Sequence, residues 1–489
     1  MTPAFDPDAS AVTDNAGSYS RAELLGRVGY AAAALRSHGV EVGTTVVLLA
    51  PNRRDAVATY LAALRVGARV VALDRRAGKA DVAHAVRLTQ PQLVLADADL
   101  AESVCPELPV LPLVEAVAGR SDPRPAAIPD SESTVVLFTS GTSSTPKAVV
   151  HTRQSLLAGV RNMAYTLRFT RQDAPFLVSP LASITGIAQL HLALEGGGRL
   201  LLEDTFSPAS SLRRLVGLEA TVFGGAPFVL EALLAEAIGQ QLDALPLRAV
   251  AIGGAAIARS LLEEAHARYG IVPSRVYGSS ECPIAFASAP DDDLEARMRD
   301  EGVAMPGTQG RIDPVNAELQ VRGDNLFRAY LDPEHNGEAF TEDGWFRTGD
   351  QASIADGRLL ITGRIKEVVA RKGLKISLAE IDEALRGMPG TLAAATYSVP
   401  DEHTGERLAV AIQVDPEAAG ALEIGLREVT GWLSSRGVAT WKLPEQVVIW
   451  RAPFPCTASG KVLRRSLDEA SSGQLTEYAP RLRGSRESP

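Results

Sequence analysis

A run of hydroxyl-bearing side chains around a glycine follows the apolar stretch Val135–Phe138. Residues 135–147 read VVLFTSGTSSTPK, so the run ends at Lys147. Small residues let the backbone approach an anion closely, while N–H groups, hydroxyls and an ammonium donate hydrogen bonds to it. The pattern predicts a phosphate-binding loop after a buried strand. It differs from the Walker A loop of P-loop NTPases, because Pro146 stands where that loop needs glycine. An ordinary Ser/Thr/Gly turn is the alternative interpretation.

Four further stretches place charged residues beside glycines. The first, YGSSE at Tyr277–Glu281, follows a predicted strand. The second, GWFRTGD, ends at Asp350, and the third, GRIKE, begins at Gly363 and leads into KGLKIS at residues 372–377. The fourth, TASGKVLRR, contains Lys461 in a Ser-Gly-Lys turn. Taken singly, each stretch also fits an ordinary surface turn.

Together with residues 139–147, these stretches resemble in order and spacing the adenylate-forming superfamily of acyl- and aryl-CoA synthetases, peptide-synthetase adenylation domains and luciferases. The resemblance extends from Val46 to Arg465. It implies that a carboxylate attacks the α-phosphate of ATP to give an acyl-adenylate and pyrophosphate, after which a thiol displaces AMP. Because two anions meet in the first step, catalysis would depend on positioning and charge neutralisation.

The resemblance also implies a role for each motif residue. Lys461 would be catalytic, with its ammonium reaching both the carboxylate and the α-phosphate, and Glu281 would be the second catalytic residue, as the ligand of Mg²⁺. Tyr277 would stack on adenine, Asp350 would accept hydrogen bonds from the ribose, and Arg364 would donate to ribose or phosphate. The ATP-binding set is Thr139, Ser140, Gly141, Thr142, Ser143, Lys147, Gly254, Ala255, Tyr277, Gly278, Ser280, Asp350 and Arg364.

The same resemblance implies a C-terminal domain that rotates between the two half-reactions. Lys366 would be the hinge, and the segment with Lys372 and Gly373 would lie beside a tunnel for the thiol. Residues 1–365 would form the large AMP-binding domain and residues 366–489 the small domain that carries Lys461. An unremarkable surface lysine is the alternative for Lys366.

The pattern of elements indicates an α/β protein. Helical periodicity alternates with short β-rich runs, as in Ala22–His38 followed by Thr45–Leu49, which predicts βαβ units and mainly parallel sheets. Beyond Pro306 short strands and turns, such as Ala317–Val321, predict a small β-barrel-like subdomain. A second α/β-like stretch follows. The resemblance implies that this stretch forms a small, mobile α+β domain.

Composition narrows the class of protein. With 489 residues, 46% of them hydrophobic, the chain is expected to fold as two or more globular domains. A net charge of −10 argues against a nucleic-acid partner. Three widely spaced cysteines indicate a reducing compartment. The sequence contains no apolar run long enough to suggest a membrane span or a secretion signal. We therefore expect a cytoplasmic protein, and we expect it to be a monomer or a homodimer.

Departures from the family pattern concern the loop and the acyl pocket. Ser144 and Ala148 replace usual glycines, and Ser183 replaces a gating His or aromatic residue. Ile184 stands where adenylation domains for α-amino acids carry Asp, and an unpaired ammonium there would cost several kcal/mol. The pocket positions favour a neutral aryl or medium-sized acyl group. They are Ser183, Thr185, Gly225, Phe228 and Ile284.

Several alternatives remain open for the function. The acceptor would be CoA or the phosphopantetheine arm of a separate carrier protein, since no carrier motif follows Lys461. An atypical member would instead activate nitrite and diazotise an aryl amine. A homologue that binds but does not catalyse is the non-enzyme alternative, and the presence of Lys461, Glu281, Asp350 and Arg364 argues against it.

Overall fold

The computed structural model divides into two compact units. The first comprises Met1–Arg311, Gln320–Arg347 and Ile354–Leu360, and the second the rest of the chain. The structure describes residues 6–98, 100, 107–119, 133–139, 146–255, 257–365, 367–371, 374–401, 403–414, 424–450, 452–456, 462–471 and 473–479. Several predicted site residues lie outside this part of the chain, and they are Ser140, Gly141, Thr142, Ser143, Lys366, Lys372, Gly373 and Lys461.

A seven-stranded sheet forms the centre of the first unit. Five of its strands run parallel and are almost wholly apolar, because helices cover both faces of such a sheet. Two antiparallel strands extend one edge. The spatial order is Ala329–Tyr330, Lys147–Thr152, Ser133–Thr139, Arg69–Asp74, Thr45–Ala50, Leu93–Ala96, Val110–Pro112.

Two further sets of strands belong to the first unit. In one, three parallel strands are followed by two short antiparallel ones; these are Val222–Gly225, Ala249–Gly253, Val272–Tyr277, Phe286–Ala287 and Val303–Ala304. The other is a four-stranded sheet in the order Gly17–Ser20, Ser10–Asp14, Leu200–Leu202, Phe176–Leu177.

The helices of the first unit alternate with these strands, and several start at a hydroxyl that caps the free N–H groups of the first turn. Ser20 and Glu23 form a capping box, and the Thr152 hydroxyl accepts from the Ser155 N–H. The α-helices are Arg21–Ser37, Arg54–Arg65, Lys79–Thr89, Leu113–Ala116, Arg153–Leu167, Ile184–Glu195, Pro208–Gly217, Pro227–Gly239, Arg259–Tyr269, Leu294–Arg299 and Asn336–Ala339. Pro333–His335 is a 3₁₀ turn.

Just beyond Pro306 the chain forms mainly short strands and turns, as the sequence predicted. Thr308–Ile312, Glu318–Gly323, Phe346–Ala355 and Arg358–Arg364 are strands whose residues are divided between the two units. The predicted strand start at Ala317 is wrong by one residue. Ala317 has a φ of 58°, in the left-handed region, and so belongs to the preceding turn.

The second unit contains a six-stranded sheet with helices packed against it. The strands are Val368–Arg371, Leu374–Ser377, Thr391–Asp401, Gly405–Val414, Gln446–Trp450 and Leu475–Tyr478. The α-helices are Leu378–Leu385, Leu426–Ser435 and Arg464–Ala470, and Thr440–Lys442 is a 3₁₀ turn. Among the strands that the structure describes in this sheet, only Gly405–Val414 and Gln446–Trp450 pair in parallel. Ile381, Val410 and Val429 lie in its buried core.

These units confirm the predicted fold class of a large α/β domain with a smaller α+β one. The domain boundary predicted between residues 365 and 366 stays a prediction. Among the residues that the structure describes, no helix is both long enough and apolar enough to cross a bilayer.

Candidate functional site

The predicted phosphate-binding loop connects two strands of an antiparallel hairpin. Thr139 ends the first strand and lies opposite Lys147, the first residue of the second. The loop itself is outside the described residues, but its two ends are therefore fixed side by side. His84, on the helix Lys79–Thr89, lies with Nε2 3.2 Å from the carbonyl oxygen of Pro146.

The YGSSE motif forms a tight turn at the end of the strand Val272–Tyr277. A Cβ atom on Gly278 would lie 2.6 Å from the backbone nitrogen of Ile284, so only glycine fits there without displacement. Ile284 has a φ of 49°, a strained value for a β-branched residue. Its carbonyl accepts a hydrogen bond from Asn162 Nδ2 at 3.0 Å. The turn is thus held in an unusual conformation by its neighbours.

The Glu281 carboxylate is held by Tyr330. The Tyr330 hydroxyl donates to Glu281 Oε1 at 2.7 Å, and the backbone N–H of Phe327 donates to the Glu281 carbonyl at 2.7 Å. Burial of Tyr330, together with the charge of Glu281, raises the pKa of Tyr330, so its hydroxyl stays protonated. Lys147 Nζ lies 4.7 Å above the centre of the Tyr330 ring. One aromatic residue therefore links the predicted phosphate-binding lysine to the predicted metal ligand.

His151 supports the same turn from the other side. Its Nε2 donates to the carbonyl oxygen of Ser280 at 2.6 Å, and its Nδ1 lies 2.9 Å from the Ser155 hydroxyl. Because a carbonyl can only accept, the hydrogen of the neutral ring must be on Nε2. Complete burial lowers the pKa of His151 to about 4. His151 is therefore neutral at pH 7 and serves as a structural donor to the turn.

Gly254 and Ala255, two residues of the predicted ATP-binding set, form a turn after the strand Ala249–Gly253. A Cβ atom on Gly253 would collide with the Val276 carbonyl, and Gly254 has a φ of 79° in an exposed position. Ala255 is exposed as well. Both the tight-turn interpretation and the nucleotide-binding one fit this geometry.

Asp350 and Arg364 belong to the second unit, where they form an ion pair. Arg364 Nε donates to Asp350 Oδ1 at 2.8 Å, and the Asp350 N–H donates to the Thr348 hydroxyl at 3.1 Å. The Asp350 carboxylate is largely buried, whereas the Arg364 side chain is 38% exposed. The alternative of an exposed turn aspartate is therefore wrong, because Arg364 covers the carboxylate.

The proposed pocket residues lie in different local settings. Ser183 caps the helix Ile184–Glu195: its hydroxyl donates to the Pro180 carbonyl at 2.7 Å and accepts from the Gly186 N–H at 3.0 Å. The hydroxyl at the gating position therefore has a structural role. Thr185 and Ile184 are half-buried at the start of that helix. Gly225 ends a parallel strand, while Phe228 is 43% exposed and stacks edge-on against Phe206.

The side chains around Glu281 suit a metal ion that takes only some of its ligands from the protein. Within the described residues no group of three or more acidic, histidine or cysteine side chains could enclose a metal ion. The half-buried Glu281 carboxylate offers a hard oxygen, and Mg²⁺ is commonly held by one or two carboxylates together with substrate phosphates. These residues fit a Mg²⁺ ion that arrives with a nucleotide.

Sequence reasoning missed three supporting residues. Tyr330 and His151 were not identified, nor was Asn325, whose Nδ2 donates to the Pro283 carbonyl at 2.8 Å. A single histidine in the otherwise apolar run AVVHT was the only available signal for His151. The contacts of Tyr330 and Asn325 join segments more than 40 residues apart, and no local pattern reveals such pairs.

The chain belongs to the AMP-binding enzyme family, whose profile matches residues 2–332. The predicted membership of the adenylate-forming superfamily is thereby confirmed. The chain is 29% identical to medium-chain fatty-acid–CoA ligase of Escherichia coli (strain K12), over 96% of this chain and 89% of that protein. It is 30% identical to indoleacetate–CoA ligase of Aromatoleum aromaticum (strain EbN1), over 94% of each.

A solved structure shares the fold. ATP-bound MatB from Rhodopseudomonas palustris is 25% identical and superimposes with a TM-score of 0.85, over 96% of this chain and 97% of that one. The expected enzyme class, an AMP-forming acid–thiol ligase, is confirmed by these relatives. The roles of the individual site residues stay predictions.

Proposed function

We propose that this enzyme uses ATP and Mg²⁺ to convert a neutral aryl or medium-chain carboxylic acid into an acyl-adenylate and then transfers the acyl group to CoA. The carboxylate oxygen attacks the α-phosphorus, and the bond from that phosphorus to the bridging oxygen of pyrophosphate breaks. The thiol of CoA then attacks the acyl carbon, and AMP leaves. No covalent bond to the protein is needed, so the protein acts by holding and neutralising anions.

The observation that carries this proposal is the placement of Glu281. Its carboxylate lies in a tight turn whose glycine, strained Ile284 and buried His151 contact all restrict movement. Through Tyr330 it is linked to Lys147, at the end of the hairpin that carries the hydroxyl-rich loop. A carboxylate suited to a hard cation and an ammonium suited to phosphate thus contact the same tyrosine, an arrangement that would serve ATP bound with Mg²⁺.

The remaining assignments follow the family resemblance. The β- and γ-phosphates would be held by Lys147 and the hydroxyls of residues 139–143, and adenine would lie against Tyr277. Bound Mg²⁺ would neutralise phosphate charge at Glu281. Asp350 would accept a hydrogen bond from the ribose with Arg364 holding its carboxylate in place, as their ion pair allows. Lys461 would stabilise the charge that develops as the two anions meet.

Two features support an uncharged acyl group. The proposed pocket positions Thr185, Gly225, Phe228 and Ile284 bear no charge, and Ile184 offers no counter-ion for an ammonium. The relatives described above are named for a medium-chain fatty acid and for indoleacetate. Both are carboxylates whose remaining parts are uncharged, so the same class is proposed here.

CoA is proposed as the acceptor because both relatives are CoA ligases. A separate carrier protein would present the same phosphopantetheine thiol. Nitrite activation and simple binding are the other candidates, and each would leave a different product in the assay below.

The test is pyrophosphate release from ATP with octanoate, indoleacetate, ferulate, a β-amino acid and nitrite, each with and without CoA. We expect octanoate or an aryl acid to release pyrophosphate, and CoA to yield the acyl-CoA and AMP. Activity with nitrite alone, or an adenylate that CoA does not discharge, would contradict the proposed substrate or acceptor. No pyrophosphate with any acid would contradict the proposed chemistry altogether.

A further inference from the structure

The strongest unassigned feature is the way Tyr330 is held, first at its backbone and then at its ring. Its backbone N–H donates to Asn336 Oδ1 at 2.8 Å, and Asn336 Nδ2 donates back to the Tyr330 carbonyl at 2.9 Å. The residue also lies in the short strand that pairs with Lys147–Thr152, opposite Val149. The backbone of Tyr330 therefore has little freedom.

The ring of Tyr330 is equally constrained. Phe327 packs edge-on against it with ring centres 4.8 Å apart, and His335 lies edge-on at 5.9 Å. Tyr330 as a whole is 6% exposed, and the Lys147 ammonium lies 4.7 Å from the centre of its ring. A cation over an aromatic face at this distance is attracted to it. A rigid tyrosine thus stands between the two charged groups of the proposed nucleotide site.

The hydroxyl of Tyr330 leaves one carboxylate oxygen of Glu281 available. The hydrogen bond is made to Oε1, and within the part of the chain that the structure describes Oε2 accepts none. A carboxylate held through one oxygen presents the other in a fixed direction. Cations that demand near-ideal geometry, as Mg²⁺ does, benefit most from a ligand that is already oriented.

We infer that Tyr330 is a positioning residue, which orients the Glu281 carboxylate for the divalent cation of the nucleotide and holds the Lys147 ammonium beside it. The inference rests on the proposed function, in which Glu281 binds that cation. Tyr330 does not touch the reacting atoms. It acts through Glu281, so its removal should change the cation requirement before it changes the chemistry.

The test compares Tyr330→Phe with the wild-type enzyme. The substitution removes only the hydroxyl and retains the ring that packs against Phe327 and Lys147. Mn²⁺ binding to the enzyme with α,β-methylene-ATP is followed by electron paramagnetic resonance. We expect the dissociation constant to rise about tenfold or more, because hydrogen bonds to charged groups are among the stronger ones. The Mg²⁺ concentration for half-maximal ATP–pyrophosphate exchange should rise in parallel, while the KM for the acid stays unchanged.

Tyr60→Phe is the matched control. Tyr60 is a buried tyrosine whose hydroxyl bonds His191 Nε2 at 3.1 Å in another part of the first unit. Loss of that hydroxyl should leave Mn²⁺ affinity unchanged whatever it does to stability. If Tyr330→Phe does not fold, Asn336→Ala tests the same idea by releasing the Tyr330 backbone, and it should weaken Mn²⁺ binding in the same direction.

Two results would overturn the inference. One is Mn²⁺ affinity within twofold of wild type in folded Tyr330→Phe, or in Asn336→Ala if that is the variant that folds. The other is an undiminished effect of Tyr330→Phe in a Glu281→Gln background, because residues that act through one group show non-additive effects. If Glu281→Gln alone leaves Mn²⁺ binding intact, the proposed role of Glu281 fails instead, so the two failures are distinguishable.

Discussion

Single residues of the first unit hold the turn that carries Glu281, the predicted metal ligand. The Glu281 carboxylate accepts a hydrogen bond from Tyr330, and the carbonyl of the adjacent Ser280 accepts one from the buried His151. Buried hydrogen-bond networks of this kind fix side-chain direction, because each unmade bond would cost the desolvation of its group. The turn that carries Glu281 therefore gains its order from Tyr330 and His151, which lie outside the predicted set of nucleotide-binding residues.

Lys461 carries the largest predicted effect of any residue. One positive charge at an otherwise anionic transition state is worth about 3–4 kcal/mol. We expect Lys461→Ala to lower ATP–pyrophosphate exchange by ~10²–10³-fold, while a preformed acyl-adenylate is still captured by thiol. Exchange at the wild-type rate in the folded variant would remove Lys461 from the mechanism.

His151 should make the stability of the first unit depend on pH. Its pKa is about 4 in the folded protein and 6.5 when unperturbed. Above pH 6.5 both states are neutral at this ring, so it contributes no pH dependence. As the pH falls from 6.5 to 4 only the unfolded state takes up the proton, so stability is lost across this window, by about 2 kcal/mol at pH 5.

Urea unfolding of wild type and His151→Gln at pH 7 and pH 5 measures this effect. The comparison uses the unfolding transition that His151→Gln shifts. In that transition, the loss of unfolding free energy caused by His151→Gln should be about 2 kcal/mol smaller at pH 5 than at pH 7. An equal destabilisation at both pH values would mean that His151 is not held neutral in the folded state.

At the residue scale the sequence predicted the charged residues but not what holds them. Glu281 and Lys147 stand in recognisable motifs, whereas the Tyr330 and Asn325 contacts depend on tertiary structure. The pairing of Asp350 with Arg364 also escaped prediction, since their separation of 14 residues corresponds to no local contact pattern.

At the scale of elements, the predicted site residues lie where strands and helices begin or end. The strand Val272–Tyr277 ends at the Glu281 turn, and in the hairpin the first strand ends at Thr139 and the second begins at Lys147. The helix Ile184–Glu195 starts at Ser183, whose hydroxyl bonds the Gly186 N–H. A Cβ atom on Gly186 would collide with the Pro180 carbonyl, so this helix start needs its glycine as well as its cap.

Ser183→Ala should therefore destabilise the first unit. Loss of a serine cap costs about 1 kcal/mol, within a range of roughly 0.5–2. Ser207→Ala is the matched control, since Ser207 precedes the helix Pro208–Gly217 without a side-chain cap bond. Thermal unfolding should show a lower midpoint for Ser183→Ala than for Ser207→Ala. Equal unfolding midpoints would show that the Ser183 hydroxyl does not stabilise the helix start. Its predicted role at the gate of the acyl pocket would then be the better explanation.

Element types were predictable because apolar periodicity is local. The predicted helix Ala22–His38 and strand Thr45–Leu49 correspond to Arg21–Ser37 and Thr45–Ala50. The antiparallel pairing of Lys147–Thr152 and the edge strand Ala329–Tyr330 were not predictable. Strand order depends on contacts across the whole unit, and no local pattern in the sequence encodes it.

At the scale of the whole molecule each unit has its own buried core. In the second unit, Ile381, Leu408, Val410 and Val447 are fully buried together. A region with an independent core is expected to unfold as an independent cooperative unit. We expect calorimetry of the full chain to show at least two transitions. A single transition with equal calorimetric and van't Hoff enthalpies would contradict this.

The central claim is that the acid becomes a mixed anhydride with AMP before the thiol reacts. The most direct measurement uses the acid that gives most pyrophosphate release, with both carboxylate oxygens labelled as ¹⁸O, in the presence of ATP, Mg²⁺ and CoA. The account predicts that mass spectrometry finds one ¹⁸O atom in the AMP formed. Label in inorganic phosphate with ADP as the nucleotide product, or AMP without label, would contradict it.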